Sequence, residues 1–123
     1  MAKILMVDDD QDFLEAATSI LLRKGHTVVT ANDPEEGEKK IKTEKPDLIL
    51  LDIMMASPDD GIALANKLRK QGIKTPIVML SGVGKVTGYT YGKCDSVLPC
   101  DEFIEKPVSP EIFLDKIDKI LNR

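Results

Sequence analysis

Apolar runs of strand length alternate along this chain with stretches of helical period, the pattern of repeated βαβ units around a parallel sheet. Lys3 to Val7 is the first such run, and Phe13, Ala17, Ile20 and Leu21 then recur at helical spacing up to Gly25, which is placed to end that helix. Thr27 to Ala31 holds two valines and two threonines, and Asp33-Pro34-Glu35-Glu36 supplies an N-cap, a proline at the first helical position and a capping-box acid. Asp47 to Leu51 is nearly all apolar, as a central parallel strand covered on both faces requires.

A third helix is expected from about Gly61 to Gly72, with Ile62, Ala65 and Leu68 on one face. Pro76 to Leu80 reads as the fourth strand and Glu102 to Ile104 as a short fifth, with Pro99 placing the stretch before it in a loop. In the last helix Ser109-Pro110-Glu111 supplies the cap, and Phe113, Leu114, Ile117, Ile120 and Leu121 form a stripe that should pack on the sheet. Five strands and five helices fill 123 residues, so the expectation is one α/β domain over residues 1–123.

The balance of charge narrows the function classes. Seventeen Lys and Arg against twenty-one Asp and Glu leave a net charge of −4, which predicts no direct nucleic-acid partner and no anionic-membrane footprint. No apolar run approaches the roughly 20 residues that span a bilayer. The first strand runs into acids at Asp8, where a signal peptide would have a cleavage site, so a cytoplasmic location is expected. Cys94 and Cys100 have neither disulfide-framework nor Cys-x-x-Cys spacing, and with His26 they make no zinc motif. His26 itself reads as a surface residue at the Gly25 turn.

In an open parallel sheet, ligands bind beyond the carboxyl ends of the strands, where the strand order reverses. Here the first strand ends in Asp8, Asp9 and Asp10, the third in Asp52 and the fourth in Ser81, while Lys106-Pro107 follows the fifth. Carboxylates gathered on one rim repel each other unless a cation neutralises them, and hard oxygen donors with room for water suit magnesium. A carboxylate beside such a metal can act as a nucleophile toward a phosphoryl group, with the hydroxyl and the ammonium stabilising charge on the transferred oxygens. Asp52, the lone acid at the end of the central strand, is the candidate nucleophile; Lys106 would pair with it before transfer and with the phosphoryl oxygens afterwards.

Taken singly, each residue has a plainer reading. Asp8 to Asp10 could be cap and first-turn acids, Asp52 a solvated strand end, Ser81 a turn residue and Phe103 core. Their joint placement carries the argument. Asp8-Asp9-Asp10, Leu51-Asp52-Ile53-Met54-Met55, Asp60-Gly61, Ser81-Gly82 and Phe103-Ile104-Glu105-Lys106-Pro107, in this order, resemble the receiver domain of two-component response regulators over essentially the whole chain. The resemblance implies a flavodoxin-like three-layer sandwich with strand order 2-1-3-4-5. It makes Asp52 the phosphoacceptor, with Mg2+ held by Asp8, Asp9, Asp52 and the backbone carbonyl of Met54. Ser81 becomes the switch hydroxyl, Phe103 the aromatic switch and Lys106 the active-site lysine, with a cis bond to Pro107. It also implies a sensor histidine kinase or phosphotransfer protein as donor and a downstream protein partner.

The sequence departs from the family pattern at three places. The stretch between Asp52 and Asp60-Gly61 is about one residue longer than usual. Between Ser81 and Lys106 the interval is a few residues longer, and Gly82, Gly84, Gly88 and Gly92 fall in its first half, which predicts a short, broken or mobile fourth helix. Pro99-Cys100 stands where relatives often have Gly-Ala. Met54 and Val83, two residues beyond Asp52 and Ser81, carry no polar group to orient an attacking water, so hydrolysis of a phosphorylated Asp52 should be slow.

The reading is a phosphorylation-gated switch, not an enzyme with turnover beyond weak self-phosphorylation and dephosphorylation. One alternative is a pseudo-receiver that binds partners without phosphorylation, favoured by the altered loops and opposed by the intact acids. The other is a magnesium-dependent aspartyl phosphatase, which would want a second acid just after the nucleophile, where Ile53 and Met54 stand. A phosphate-loop reading of Gly82 to Thr87 fails because Met79 and Val86 occupy positions that need a glycine and a Ser or Thr.

Overall fold

A computed structural model describes residues 2–52, 60–82, 102–106 and 109–122. In chain order they form β1 (Lys3–Val7), α1 (Gln11–Arg23), β2 (Thr27–Ala31), α2 (Pro34–Glu44), β3 (Leu48–Asp52), α3 (Asp60–Lys70), β4 (Ile77–Gly82), β5 (Glu102–Lys106) and α4 (Pro110–Leu121). The helix expected after β4, Met54 and the Lys106–Pro107 bond lie outside the described residues.

All strand pairs are parallel and the sheet order is β2-β1-β3-β4-β5, as the resemblance implied. Successive side chains on a strand point to opposite faces, and this alternation divides the core in two. Leu5, Val7, Ile49, Leu51, Ile77 and Met79 face α2 and α3, meeting Ile41, Leu64, Ala65 and Leu68. Ile4, Met6, Leu48, Leu50, Val78 and Leu80 face α1 and α4, meeting Leu14, Ala17, Leu21, Phe113, Ile117 and Ile120. The sheet is therefore the middle of three layers, and β3, apolar from Leu48 to Leu51, is buried throughout.

Helix ends follow from local chemistry. The Asp33 side chain accepts the Glu36 N–H at 2.8 Å, while Glu36 Oε1 accepts the N–H of Asn32, one residue earlier than a capping box requires. Gly25 and Gly72 end α1 and α3 at φ of 86° and 83°. In each case the next residue reaches back to a carbonyl five residues earlier, His26 to Leu21 and Ile73 to Leu68. On α2, Gly37 faces β1 so closely that a Cβ there would lie 2.8 Å from a methyl of Val7.

Several boundaries differ from the sequence reading. β3 starts at Leu48; Asp47 just before it is bonded to Lys3 twice, its N–H to the Lys3 carbonyl at 2.7 Å and its carboxylate accepting the Lys3 N–H at 2.8 Å. β4 runs on to Gly82 and β5 to Lys106, because Ser81 pairs with Glu105 and Gly82 with Lys106 in register. Ser109 occupies the N-cap position of α4 without a side-chain capping bond; its carbonyl accepts the Phe113 N–H instead. Leu14, not Phe13, is the fully buried residue in the first turns of α1. His26 is partly buried, and its Nδ1 accepts the Ala2 N–H at 3.1 Å, tying down the start of β1.

Candidate functional site

The strand order reverses between β1 and β3, since the chain first moves outward to β2 and then crosses to the other side of β1. Binding sites in such sheets sit beyond the carboxyl ends of these two strands. Asp8 follows β1 directly and is fully buried, its N–H bonded to the Ala31 carbonyl at 3.1 Å. Its Oδ1 accepts the Asp10 N–H at 2.9 Å, which turns the chain into α1. Asp52 is the last residue of β3 and only 5% exposed, while Asp9 is exposed. One carboxylate oxygen from each of Asp8, Asp9 and Asp52 lies within 4.8 Å of the other two.

The triplet after β1 thus divides its work. Asp10 is the N-cap of α1, its Oδ1 accepting the Phe13 N–H at 3.2 Å, so the plain capping reading is right for that residue. Asp8 and Asp9 turn instead toward Asp52. Two of the three carboxylates are out of water, where mutual repulsion is weakly screened, and the donors are all hard oxygens. That donor set fits Mg2+, which takes a few carboxylates and keeps several waters.

For Ser81, Phe103 and Lys106 the backbone and register give the placement. Asp52 stands opposite Leu80, so Ser81 is one step beyond it on the adjacent strand. Ser81 pairs with Glu105 and Gly82 with Lys106, which puts Lys106 at the carboxyl end of β5. The ends of β1, β3, β4 and β5, four neighbouring strands, therefore carry Asp8, Asp52, Ser81 and Lys106 along one rim. Phe103 pairs with Met79, farther down β5. A separate cavity of about 560 Å³ lies at the opposite end of the sheet, lined by Ala2, His26, Asp47, Pro76 and the last turn of α4. It contains none of these residues.

Sequence reasoning missed a polar junction between α2 and α3. Glu38 accepts hydrogen bonds from Gln71 Nε2 at 3.0 Å and Lys42 Nζ at 3.2 Å and pairs with Lys67 Nζ at 2.9 Å. Gln71, then Lys67 and Lys42, hold its carboxyl down from the ordinary 4.5 to about 2. Only the Glu38–Lys42 spacing of four residues could have been read from sequence.

The family model described as response regulator receiver domain matches residues 4–118. The chain is 39% identical over 125 residues to the alkaline phosphatase synthesis transcriptional regulatory protein PhoP of Bacillus subtilis, covering 98% of this chain and 49% of that protein. It is 33% identical to the transcriptional regulatory protein DltR of Streptococcus agalactiae, covering 94% of this chain and 50% of that one. The chain thus spans about half the length of these curated relatives. Among solved structures, the receiver domain of NtrX from Brucella abortus superposes with a TM-score of 0.82 at 32% identity, covering 97% of this chain and 98% of that one. The receiver domain of the Francisella response regulator 1452 superposes at 0.85 and 28% identity, covering 100% and 98%.

Proposed function

The chain belongs to the response regulator receiver domain family, and from that premise we propose that it is a phosphorylation switch of a two-component system in which Asp52 accepts the phosphoryl group. The observation that carries this reading is the carboxylate cluster, with Asp8, Asp9 and Asp52 within 4.8 Å of one another at the reversal of strand order. Asp8 and Asp9, with Asp52 and the Met54 carbonyl, would hold Mg2+, which when bound neutralises charge on the phosphoryl oxygens.

In the transfer, an Asp52 carboxylate oxygen attacks phosphorus and the P–N bond to the donor histidine breaks, its electron pair staying on the imidazole nitrogen. The product is an acyl phosphate on Asp52. Lys106 pairs with the Asp52 carboxylate before transfer and with the phosphoryl oxygens after it; the Ser81 hydroxyl donates to one of those oxygens. Burial of Asp52 keeps bulk water away from the acyl phosphate, and no polar side chain at Met54 or Val83 orients a hydrolytic water. Phe103 follows Ser81 inward, changing the surface read by a downstream protein.

The donor is a histidine kinase or phosphotransfer protein, and the setting is the cytoplasm. Among the described residues no helix is long and apolar enough to cross a membrane. A related receiver, that of RstA from Klebsiella pneumoniae, is described as BeF3-activated and superposes with a TM-score of 0.84 at 29% identity. Calorimetry with Mg2+ and beryllofluoride tests the reading on this chain: binding of both is expected for the native protein and loss of both for Asp8→Asn. Equal binding by that variant would overturn the assignment of the metal site.

A further inference from the structure

We propose that the outward faces of α2 and α3 form a docking surface for a short acidic segment of a partner protein, distinct from the carboxylate rim. Residues 39–45 and 67–74 carry eight of the chain's seventeen Lys and Arg and one acid, Glu44, in a chain whose net charge is −4. The parallel order makes α2 and α3 run the same way on the same face of the sheet, so their carboxyl-terminal halves lie side by side. Contact is direct, since Lys42 of α2 and Lys67 of α3 meet on the one carboxylate of Glu38.

The charge there is in excess and outward. Two ammonium groups share the Glu38 carboxylate, and both lysines remain more than half exposed, at 53% and 59%. Lys39, Lys45, Lys70 and Lys74 are exposed and, among the described residues, have no ion-pair partner. Arg69 is different: its guanidinium is turned back to the Ile73 and Thr75 carbonyls, each at 2.9 Å. It fixes the exit of α3 and leaves the lysines to make the face. The Glu38 carboxyl is held low by the Gln71 hydrogen bond first and then by those from Lys67 and Lys42.

Toward the amino ends of the same helices a shallow cleft of about 550 Å³ runs between Pro34, Glu35 and Glu38 on one side and Ala63, Leu64 and Lys67 on the other. Pro34 and Ala63 offer an apolar contact for one residue of a segment whose acids then follow onto the lysines. The size also selects the partner. Lys39 to Lys45 spans about 9 Å of helix rise and the neighbouring helix axis lies about 10 Å away, room for a few carboxylates and not for an extended polyanion. None of residues 39–45 or 67–74 is an aromatic on which a base could stack.

The test is fluorescence anisotropy with a labelled peptide containing one Leu followed by a run of Glu, against an oligonucleotide of equal charge. The protein carries Lys39→Gln, Lys70→Gln and Lys74→Gln together, all exposed positions outside the carboxylate site, and Lys24→Gln with Lys119→Gln serves as the control on the other helical layer. Salt-sensitive peptide binding that falls about tenfold or more in the triple variant and holds in the control supports the proposal. Tighter binding of the oligonucleotide, an equal loss in the control, an unchanged triple variant or no binding of the peptide would each overturn it.

Discussion

Asp8 and Asp52, at the carboxyl ends of the adjacent strands β1 and β3, are both buried and bring a carboxylate oxygen each within 4.8 Å of the other. Two such carboxylates repel each other where screening is weak, which favours a cation that neutralises them. The repulsion between them works against the fold as long as no cation is bound.

Removing one of the two charges should therefore stabilise the metal-free protein. Asp52→Asn keeps the shape of the side chain and is expected to raise stability without Mg2+ by about 1 kcal/mol or more. Saturating Mg2+ should stabilise the native chain, by roughly 2.7 kcal/mol at a hundred times its dissociation constant, and the variant far less. Thermal unfolding with and without Mg2+ checks both expectations.

Glu38 gives the protein a pH-dependent brace. Its carboxyl is lowered in the folded state to about 2, by Gln71 first and then Lys67 and Lys42, from the ordinary 4.5. A depressed acid contributes stability that is fully present above pH 4.5 and is lost as the pH falls through about 2. Glu38→Gln should then unfold more easily than the native chain at pH 7, and the difference should shrink between pH 4.5 and 2. Urea midpoints across that range measure it.

Gly37 lets α2 approach β1, and Val7 directly precedes Asp8. A side chain at Gly37 has to displace Val7, whose branched Cβ leaves it little freedom. Gly37→Leu should cost about 2 kcal/mol of stability through overpacking. Because the displaced strand carries Asp8, it should also weaken Mg2+ binding, read by calorimetry at a temperature where the variant is folded.

A phosphorylated Asp52 should persist, since the Met54 side chain gives an attacking water no polar group to orient it. Met54→Asn supplies one and should speed dephosphorylation on the order of tenfold. Time courses of intact mass after removal of the phosphoryl donor provide the rate.

Much of this architecture is legible before any coordinates. β3 declares itself because a strand buried on both faces must be apolar at every position, and Leu48 to Leu51 obey that rule. Asp8, Asp9 and Asp52 stand out because they end such runs. The far ends of β4 and β5 are not legible, since Ser81-Gly82 and Glu105-Lys106 have no apolar signal and are strand only through pairing with each other. Likewise nothing local separates Asp10, which caps α1, from Asp8 and Asp9, which turn to Asp52. The Glu38 junction joins residues 33 apart in the chain, and the His26 bond to Ala2 spans 24, so both exist only once the layers are assembled.

The central claim is that Asp52 accepts a phosphoryl group in the presence of Mg2+. Intact mass after incubation with acetyl phosphate, with and without Mg2+, tests it on the native chain and on Asp52→Asn. A magnesium-dependent gain of a single phosphoryl group that the variant lacks is the result the account predicts. No gain by the native chain under conditions where it binds Mg2+, or an equal gain by Asp52→Asn, would contradict it.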